Sequence, residues 1–271
     1  MNEPLLRVEK LRKVFFHSTG LFRRLTGETV ALDSISFTLH RGEVLGLVGE
    51  SGSGKSTAGR AAIRLIDAEG SITFGDERLD LLSRRELLNF RPRAQMVFQD
   101  PSQSLNPRKT ILESLGEPLL YHKRCRGSAA TRDRIGSLLE RVGLSADLMH
   151  RYPHQFSGGQ QQRICIGRAI SLDPELIICD EAVSALDLSI RSQILNLLLE
   201  LKADLSLSLL FISHDLSVIR ALCDRVLVLY QGRIVEEGPT QDLFDAPKHP
   251  YTKRLLAAIP CDHPSERRRR E

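Results

Sequence analysis

At 271 residues, 41% hydrophobic and 27% charged, with a formal net charge of +4, the chain has an ordinary globular composition and the length for one large domain or two small ones. Disordered and fibrous classes are excluded; no apolar run approaches the roughly 20 residues of a membrane-spanning helix, and the opening MNEPLLRVEK has an acidic residue and no apolar stretch of signal-peptide length. A cytosolic chain is expected, in which Cys125, Cys165, Cys179, Cys223 and Cys261, odd in number and without C-x-x-C spacing, are buried free thiols rather than disulfides or a zinc site.

The first strongly marked element is Val44 to Val48, apolar on consecutive residues as a parallel strand covered on both faces requires. It runs into Gly49-Glu50-Ser51-Gly52-Ser53-Gly54-Lys55-Ser56-Thr57, and a helix is expected from Ala58 to Leu65. Binding a polyanionic phosphate chain takes many converging backbone N–H groups and a cation. Gly49, Gly52 and Gly54 permit the tight loop, and the helix aims its N-terminus at the phosphates. Lys55 reaches the β and γ oxygens of ATP, Ser56 offers its hydroxyl to Mg²⁺, and Thr57 adds an α-phosphate contact.

Ala94 to Phe98 is the next strand, followed by Gln99. From about Asp100 to Leu172 the buried-strand signal vanishes, and Pro101, Pro107, Pro118 and Pro153 punctuate helical patterns such as Ile135, Leu138, Leu139 and Val142. This stretch is read as a helical subdomain inserted into the core. Within it, Ser157 and the Gly158 and Gly159 amides open a helix expected from Gln160 to Ile170, forming a second anion site at a helix N-terminus. Alone, such a loop would be an ordinary helix start; beside a P-loop it marks a chain with two phosphate sites.

Leu176 to Cys179 is another doubly covered strand, and Asp180 and Glu181 follow it. A P-loop needs a carboxylate to organise Mg²⁺ at the end of a neighbouring strand. Asp180 would hold the ion through water, and Glu181 would polarise the attacking water as a general base. An apolar run ending in Asp-Glu is by itself more often a strand meeting solvent; paired with the P-loop, the functional reading outweighs that one. Ile190, Ile194, Leu197, Leu198, Leu201 and Leu205 mark a helix capped by Asp187 or Ser189. Strands Leu209 to Ile212 and Val226 to Tyr230 complete the alternation, so the core is α/β. Arg267 to Arg270 read as a solvated tail.

Phe156-Ser157-Gly158-Gly159-Gln160, followed by Gln161-Gln162-Arg163, resembles the signature of the ATP-binding cassette (ABC) ATPases, with Phe where Leu is more usual. The resemblance implies a P-loop NTPase fold with a RecA-like core, an N-terminal antiparallel β region and an inserted α-helical subdomain. It assigns 1–98 and 173–240 to the ATP-binding core, 99–172 to the helical subdomain and 241–271 to a C-terminal extension. It further implies that Gln99 senses Mg²⁺ and the membrane partner, that Asp187 in Ser184-Ala185-Leu186-Asp187 crosses a dimer interface, and that His214 contacts the γ-phosphate. Phe15, or Phe16, resembles the aromatic that stacks on adenine. In this family ATP is clamped between the P-loop of one subunit and the signature of another, head to tail, so a dimer is expected.

Phe98-Gln99-Asp100-Pro101, Ser104-Leu105-Asn106-Pro107-Arg108, Arg151-Tyr152-Pro153-His154 and His249-Pro250-Tyr251-Thr252-Lys253-Arg254-Leu255-Leu256 resemble the oligopeptide/dipeptide importer subfamily, which also includes nickel importers. The F-type subunit is the nearest pattern. It implies a D-type ATPase partner, two membrane permeases, a solute-binding protein engaged indirectly, no nucleic acid, and a peripheral position on the cytoplasmic face of the inner membrane. Ala182 stands where most relatives have Pro, which removes no catalytic group. Cys261 stands alone beyond the HPYT segment, so no iron–sulfur cluster is expected. A nickel or antimicrobial-peptide transporter is the alternative cargo reading. A soluble non-transport ABC ATPase is disfavoured because the paired cassettes, coiled coil or zinc-type cysteines of such proteins do not show in this sequence.

Overall fold

The computed structural model describes residues 3–19, 24–184 and 186–258. In chain order these form β1 (Pro4–Thr19), β2 (Arg24–His40), β3 (Val44–Val48), α1 (Lys55–Ala62), β4 (Glu69–Phe74), β5 (Glu77–Arg78), α2 (Arg84–Phe90) and β6 (Ala94–Val97). Then come α3 (Pro101–Ser104), α4 (Ile111–Tyr121), α5 (Ser128–Arg141), α6 (Gly158–Ile170), β7 (Leu176–Asp180), α7 (Leu188–Leu205) and β8 (Ser208–Ile212). The described chain closes with α8 (Leu216–Leu222), β9 (Arg225–Tyr230), β10 (Arg233–Pro239), α9 (Thr240–Asp245) and α10 (Pro250–Ala257).

A six-stranded sheet runs in the order β10, β9, β3, β8, β7, β6, parallel throughout except at the β9–β10 edge. Its strands divide two hydrophobic cores. Val44, Ile177, Leu209 and Val226 face the layer that holds α4 to α8, while Leu45, Ile178, Leu210 and Leu227 face α1 and a second, antiparallel sheet of β2, β1, β4 and β5. Burial on both faces is why these strands are apolar at every position instead of every second one. Each such side chain is worth about 1.5–3 kcal/mol relative to exposure.

The region between β6 and β7 holds only helical elements, with short 3-10 turns at Ala146–His150 and Pro153–Gln155. Pro118 lies inside α4 instead of marking a boundary; it stands in the last turn, where the helix continues to Tyr121. The helix after the P-loop begins at Lys55, not Ala58, because the Ala58 amide already donates to the Gly54 carbonyl. It stops at Ala62, short of Leu65, where Arg64 turns to a φ of 57°. The signature helix likewise starts at Gly158, two residues before Gln160, with Ser157 as its cap. Asp187 occupies the cap position of α7 without a side-chain capping bond.

Cys165, Cys179 and Cys223 are buried free thiols and Cys125 is half-buried, a departure from full burial. Burial pushes the Cys165 and Cys179 thiols up to about 12, which keeps them protonated and unreactive. Ala185, Cys261 with the iron–sulfur expectation, and Arg267 to Arg270 lie outside the described residues.

Candidate active site

The loop 49–54 leaves β3 at the carboxyl ends of the parallel strands, where open α/β sheets bind ligands. Gly49 has φ 154° and Gly54 φ 105°; a Cβ at the first would run into the Leu229 carbonyl of β9, and at the second into the Ala31 carbonyl of β2. Glycine at these positions lets the loop wedge between two strands. Lys55 opens α1 with only 4% of its surface exposed, and its Nζ donates to the carbonyls of Gly49 (2.8 Å) and Glu50 (2.7 Å). Burial pushes the Lys55 ammonium below its ordinary value, against the opposing pull of Glu181, Asp180 and Glu50.

Ser56 Oγ donates to Asp180 Oδ1 at 2.7 Å, and Arg60, one helical turn on, approaches Oδ2 at 3.4 Å. Burial pushes the Asp180 carboxyl up; the Ser56 hydrogen bond and Arg60 oppose it, and neighbouring Glu181 adds to it. A hydroxyl and a carboxylate meeting beside a P-loop are hard oxygen donors of the kind Mg²⁺ takes, and a cation would offset a carboxylate buried at cost. The residues present fit that ion.

Glu181 leaves β7 with φ 50°, a left-handed conformation that a non-glycine residue adopts only when held. Its amide donates to the Ile212 carbonyl at 3.0 Å, and its own carbonyl accepts from the Ser184 amide (3.1 Å) and hydroxyl (3.0 Å). The side chain, 18% exposed, meets His214 Nδ1 at 3.3 Å through Oε1; His214 itself is 57% exposed. A cleft of 360 Å³ is lined by Thr29, Val30, Ala31, Ser51, Gly52, Gly54, Lys55, Ser56, Thr57, Gln99 and Glu181. The P-loop, the post-β6 glutamine and the post-β7 glutamate thus share one cavity.

Ser157, Gly158, Gly159 and Gln160 are not among the residues lining that cleft. Ser157 Oγ accepts from the Gln160 amide at 3.3 Å and Gln160 Oε1 from the Ser157 amide at 3.0 Å, a reciprocal capping box that presents the start of α6. Gly159 is fixed by packing: a Cβ there would stand 2.5 Å from Ile190 Cγ2 on α7, whereas one at Gly158 would meet only Leu186 at 3.8 Å. Asp187 also lies away from the lining of the cleft. Phe15 is paired across the strands with Thr29, a lining residue, and so shares its face; Phe16 lines a separate depression with Arg12, Lys13 and Glu28.

Sequence reasoning missed Thr29, Val30 and Ala31, which form a wall of the cleft from β2, a strand without a motif. It missed Arg60, although the i,i+4 spacing from Ser56 on α1 was a usable signal. It also missed the HPYT segment's contact with the loop: the Glu50 amide donates to Tyr251 Oη at 2.9 Å.

The ABC transporter family model matches residues 32–184, and the model for the oligopeptide/dipeptide transporter C-terminal region matches 235–271. The glutathione import ATP-binding protein GsiA of Salmonella typhimurium (strain LT2) is 52% identical over 269 residues, 99% of this chain and 43% of that protein. GsiA of Escherichia coli (strain K12) is 52% identical over 267 residues, again 43% of its length, so the chain spans less than half of these curated relatives. Among solved structures, the ATP-binding cassette MJ0796, as a dimer in a post-hydrolysis state bound to ADP and Pi, superposes with a TM-score of 0.76 at 28% identity, covering 87% of this chain and 98% of that one. CbiO1 of Clostridium perfringens, part of the ABC transporter complex cbiONQ, gives 0.76 at 26% identity, covering 90% and 92%.

Proposed function

The chain belongs to the ABC transporter family, and on that premise we propose that it is the ATP-hydrolysing motor of an importer for peptides of the oligopeptide/dipeptide class. The observation that carries the motor reading is the meeting of Ser56 and Asp180 at 2.7 Å beside Lys55, with Glu181 and Gln99 lining the same cleft. The cargo reading rests on the C-terminal region match and on relatives named for glutathione import, a tripeptide-sized substrate.

In this reading Lys55 and the amides of Gly49 to Thr57 bind the phosphates of ATP, and Phe15 takes the adenine. Ser56, Asp180 and Gln99 would hold Mg²⁺, which when bound would neutralise charge on the phosphates. Glu181 accepts the proton of the attacking water while His214 holds its carboxylate and reaches toward the γ-phosphate. Ser157 to Gln160 serve the nucleotide of a second ABC subunit, arranged head to tail across Asp187. Residues 99–172 carry the closure of that dimer to two membrane permeases fed by a solute-binding protein, and the chain sits peripherally on the cytoplasmic face of the membrane.

Glu181→Gln keeps the shape of the side chain and removes its basicity. The expected outcome is retained ATP binding, a stable nucleotide-bound dimer by size-exclusion chromatography with light scattering, and phosphate release reduced at least a hundredfold, as loss of a general base implies (~10²–10⁴-fold). Turnover near that of the unaltered protein would sink the assignment. Co-purification with two multi-span membrane proteins tests the transport reading separately.

A further inference from the structure

The peptide unit joining Gly49 to Glu50 is held from both ends. Its carbonyl oxygen accepts from Lys55 Nζ at 2.8 Å, and its N–H donates to Tyr251 Oη at 2.9 Å. A trans peptide points its C=O and N–H in opposite directions. Fixing the N–H therefore fixes where the carbonyl, and with it the lysine, must lie. The need for such a fixture is local: Gly49 sits at φ 154°, and glycine passes between conformations that other residues cannot adopt, so the peptide beside it has little intrinsic resistance to rotation.

Tyr251 is built to stay in place. His249 caps α10 by accepting the Tyr251 amide on Nδ1 at 3.2 Å, and Pro250 takes the first helical position, where no amide is required. The segment before the helix is fastened to β10, since the Lys248 and His249 amides donate to the Glu236 carboxylate at 2.8 and 2.9 Å. The Tyr251 ring, 2% exposed, lies against the Tyr230 ring at the end of β9 with centroids 4.1 Å apart. A buried ring packed against another leaves its hydroxyl little freedom to wander from Glu50.

We propose that Tyr251 is a positioning residue of the nucleotide site, one that sets the place of Lys55 through the Gly49–Glu50 peptide. His249 and Pro250 orient the tyrosine, and the C-terminal segment thereby forms an outer support of the phosphate cradle. The idea rests on the reading of residues 49–57 as the site for the phosphates of ATP.

Tyr251→Phe tests it in the full chain by deleting one oxygen and keeping the packed ring. In the nucleotide-free protein, hydrogen exchange at the Glu50 amide should accelerate roughly threefold to tenfold, the value of one ordinary hydrogen bond. Affinity for the fluorescent analogue TNP-ATP should fall by roughly the same factor. In a Lys55→Ala background, where the analogue's ring sustains residual binding, Tyr251→Phe should cost nothing further, because two groups acting through one another are not additive.

Unchanged exchange at Glu50 would overturn the proposal, and so would an equal loss of affinity with and without Lys55, which is what a merely structural tyrosine would produce. Failure of the unaltered chain to bind TNP-ATP would instead remove the ATP reading. The exchange rates need no nucleotide and would still decide whether Tyr251 holds the loop.

Discussion

Asp80 shows what a single carboxylate does for the antiparallel sheet beside the site. Its oxygens accept from the Ile72 amide at 2.9 Å and from the Arg78 guanidinium at 3.0 and 2.7 Å. The Arg78 hydrogen bond, against the cost of burial and with help from the backbone amides, lowers the Asp80 carboxyl from 3.8 to about 2. A depressed folded value means stability that is present above pH 3.8 and lost as pH falls toward 2. Asp80→Asn should therefore cost about 1 kcal/mol at pH 7, the full linkage value discounted because Arg78 is solvent-screened. Urea titrations of both proteins should show the difference shrinking between pH 4 and pH 2. At the active site, Lys55, Ser56, Asp180 and Glu181 could be named from the sequence because each has a local marker, a glycine-rich loop or the end of an apolar run. The left-handed backbone of Glu181 could not, since it depends on the Ile212 carbonyl of another strand.

Helix starts carry local signals that were only partly read, since α1 and α6 both begin before the residues expected. Ser83 with Glu86, Thr110 with Glu113 and Ser157 with Gln160 each form a capping box, so four residues of sequence are enough to specify where α2, α4 and α6 begin. Helix α1 carries no such box, and its apolar period begins only at Ala58 because Lys55 and Ser56 are turned to the cleft; its start was therefore placed late. The two signature glycines look equivalent in sequence and are not equivalent in the fold. Gly159→Ala sets a methyl 2.5 Å from Ile190 and should lower stability by about 1–3 kcal/mol, the cost of overpacking. Gly158→Ala meets only Leu186 at 3.8 Å and should change the melting temperature by less than about 2 °C. Differential scanning fluorimetry of the two variants decides the matter, and equal melting temperatures would refute the packing argument.

For the whole molecule, the P-loop lines the cleft and the signature opens α6 away from it, so on the proposed function nucleotide stabilises the subunit first and a dimer second. Saturation at a hundred times Kd should add about 2.7 kcal/mol, which is roughly 5–10 °C for a domain of this size. Glu181→Gln should show the rise, Lys55→Ala should lose it, and EDTA should reduce it; a Lys55→Ala melting temperature that still responded fully to ATP would contradict the cradle. The order of the motifs, the alternation of strand and helix in the ATP-binding core and the two-sided burial of its parallel strands were determined by the sequence. They follow from periodicity and short spacings, which act between residues near one another in the chain. The tertiary structure alone decided that β2 walls the cleft, that Arg60 reaches Asp180 and that Tyr251 holds an amide 201 positions away. Such contacts depend on strand order and register; local spacing puts Arg60 on the same face of α1 as Ser56 but does not say that Asp180 stands opposite.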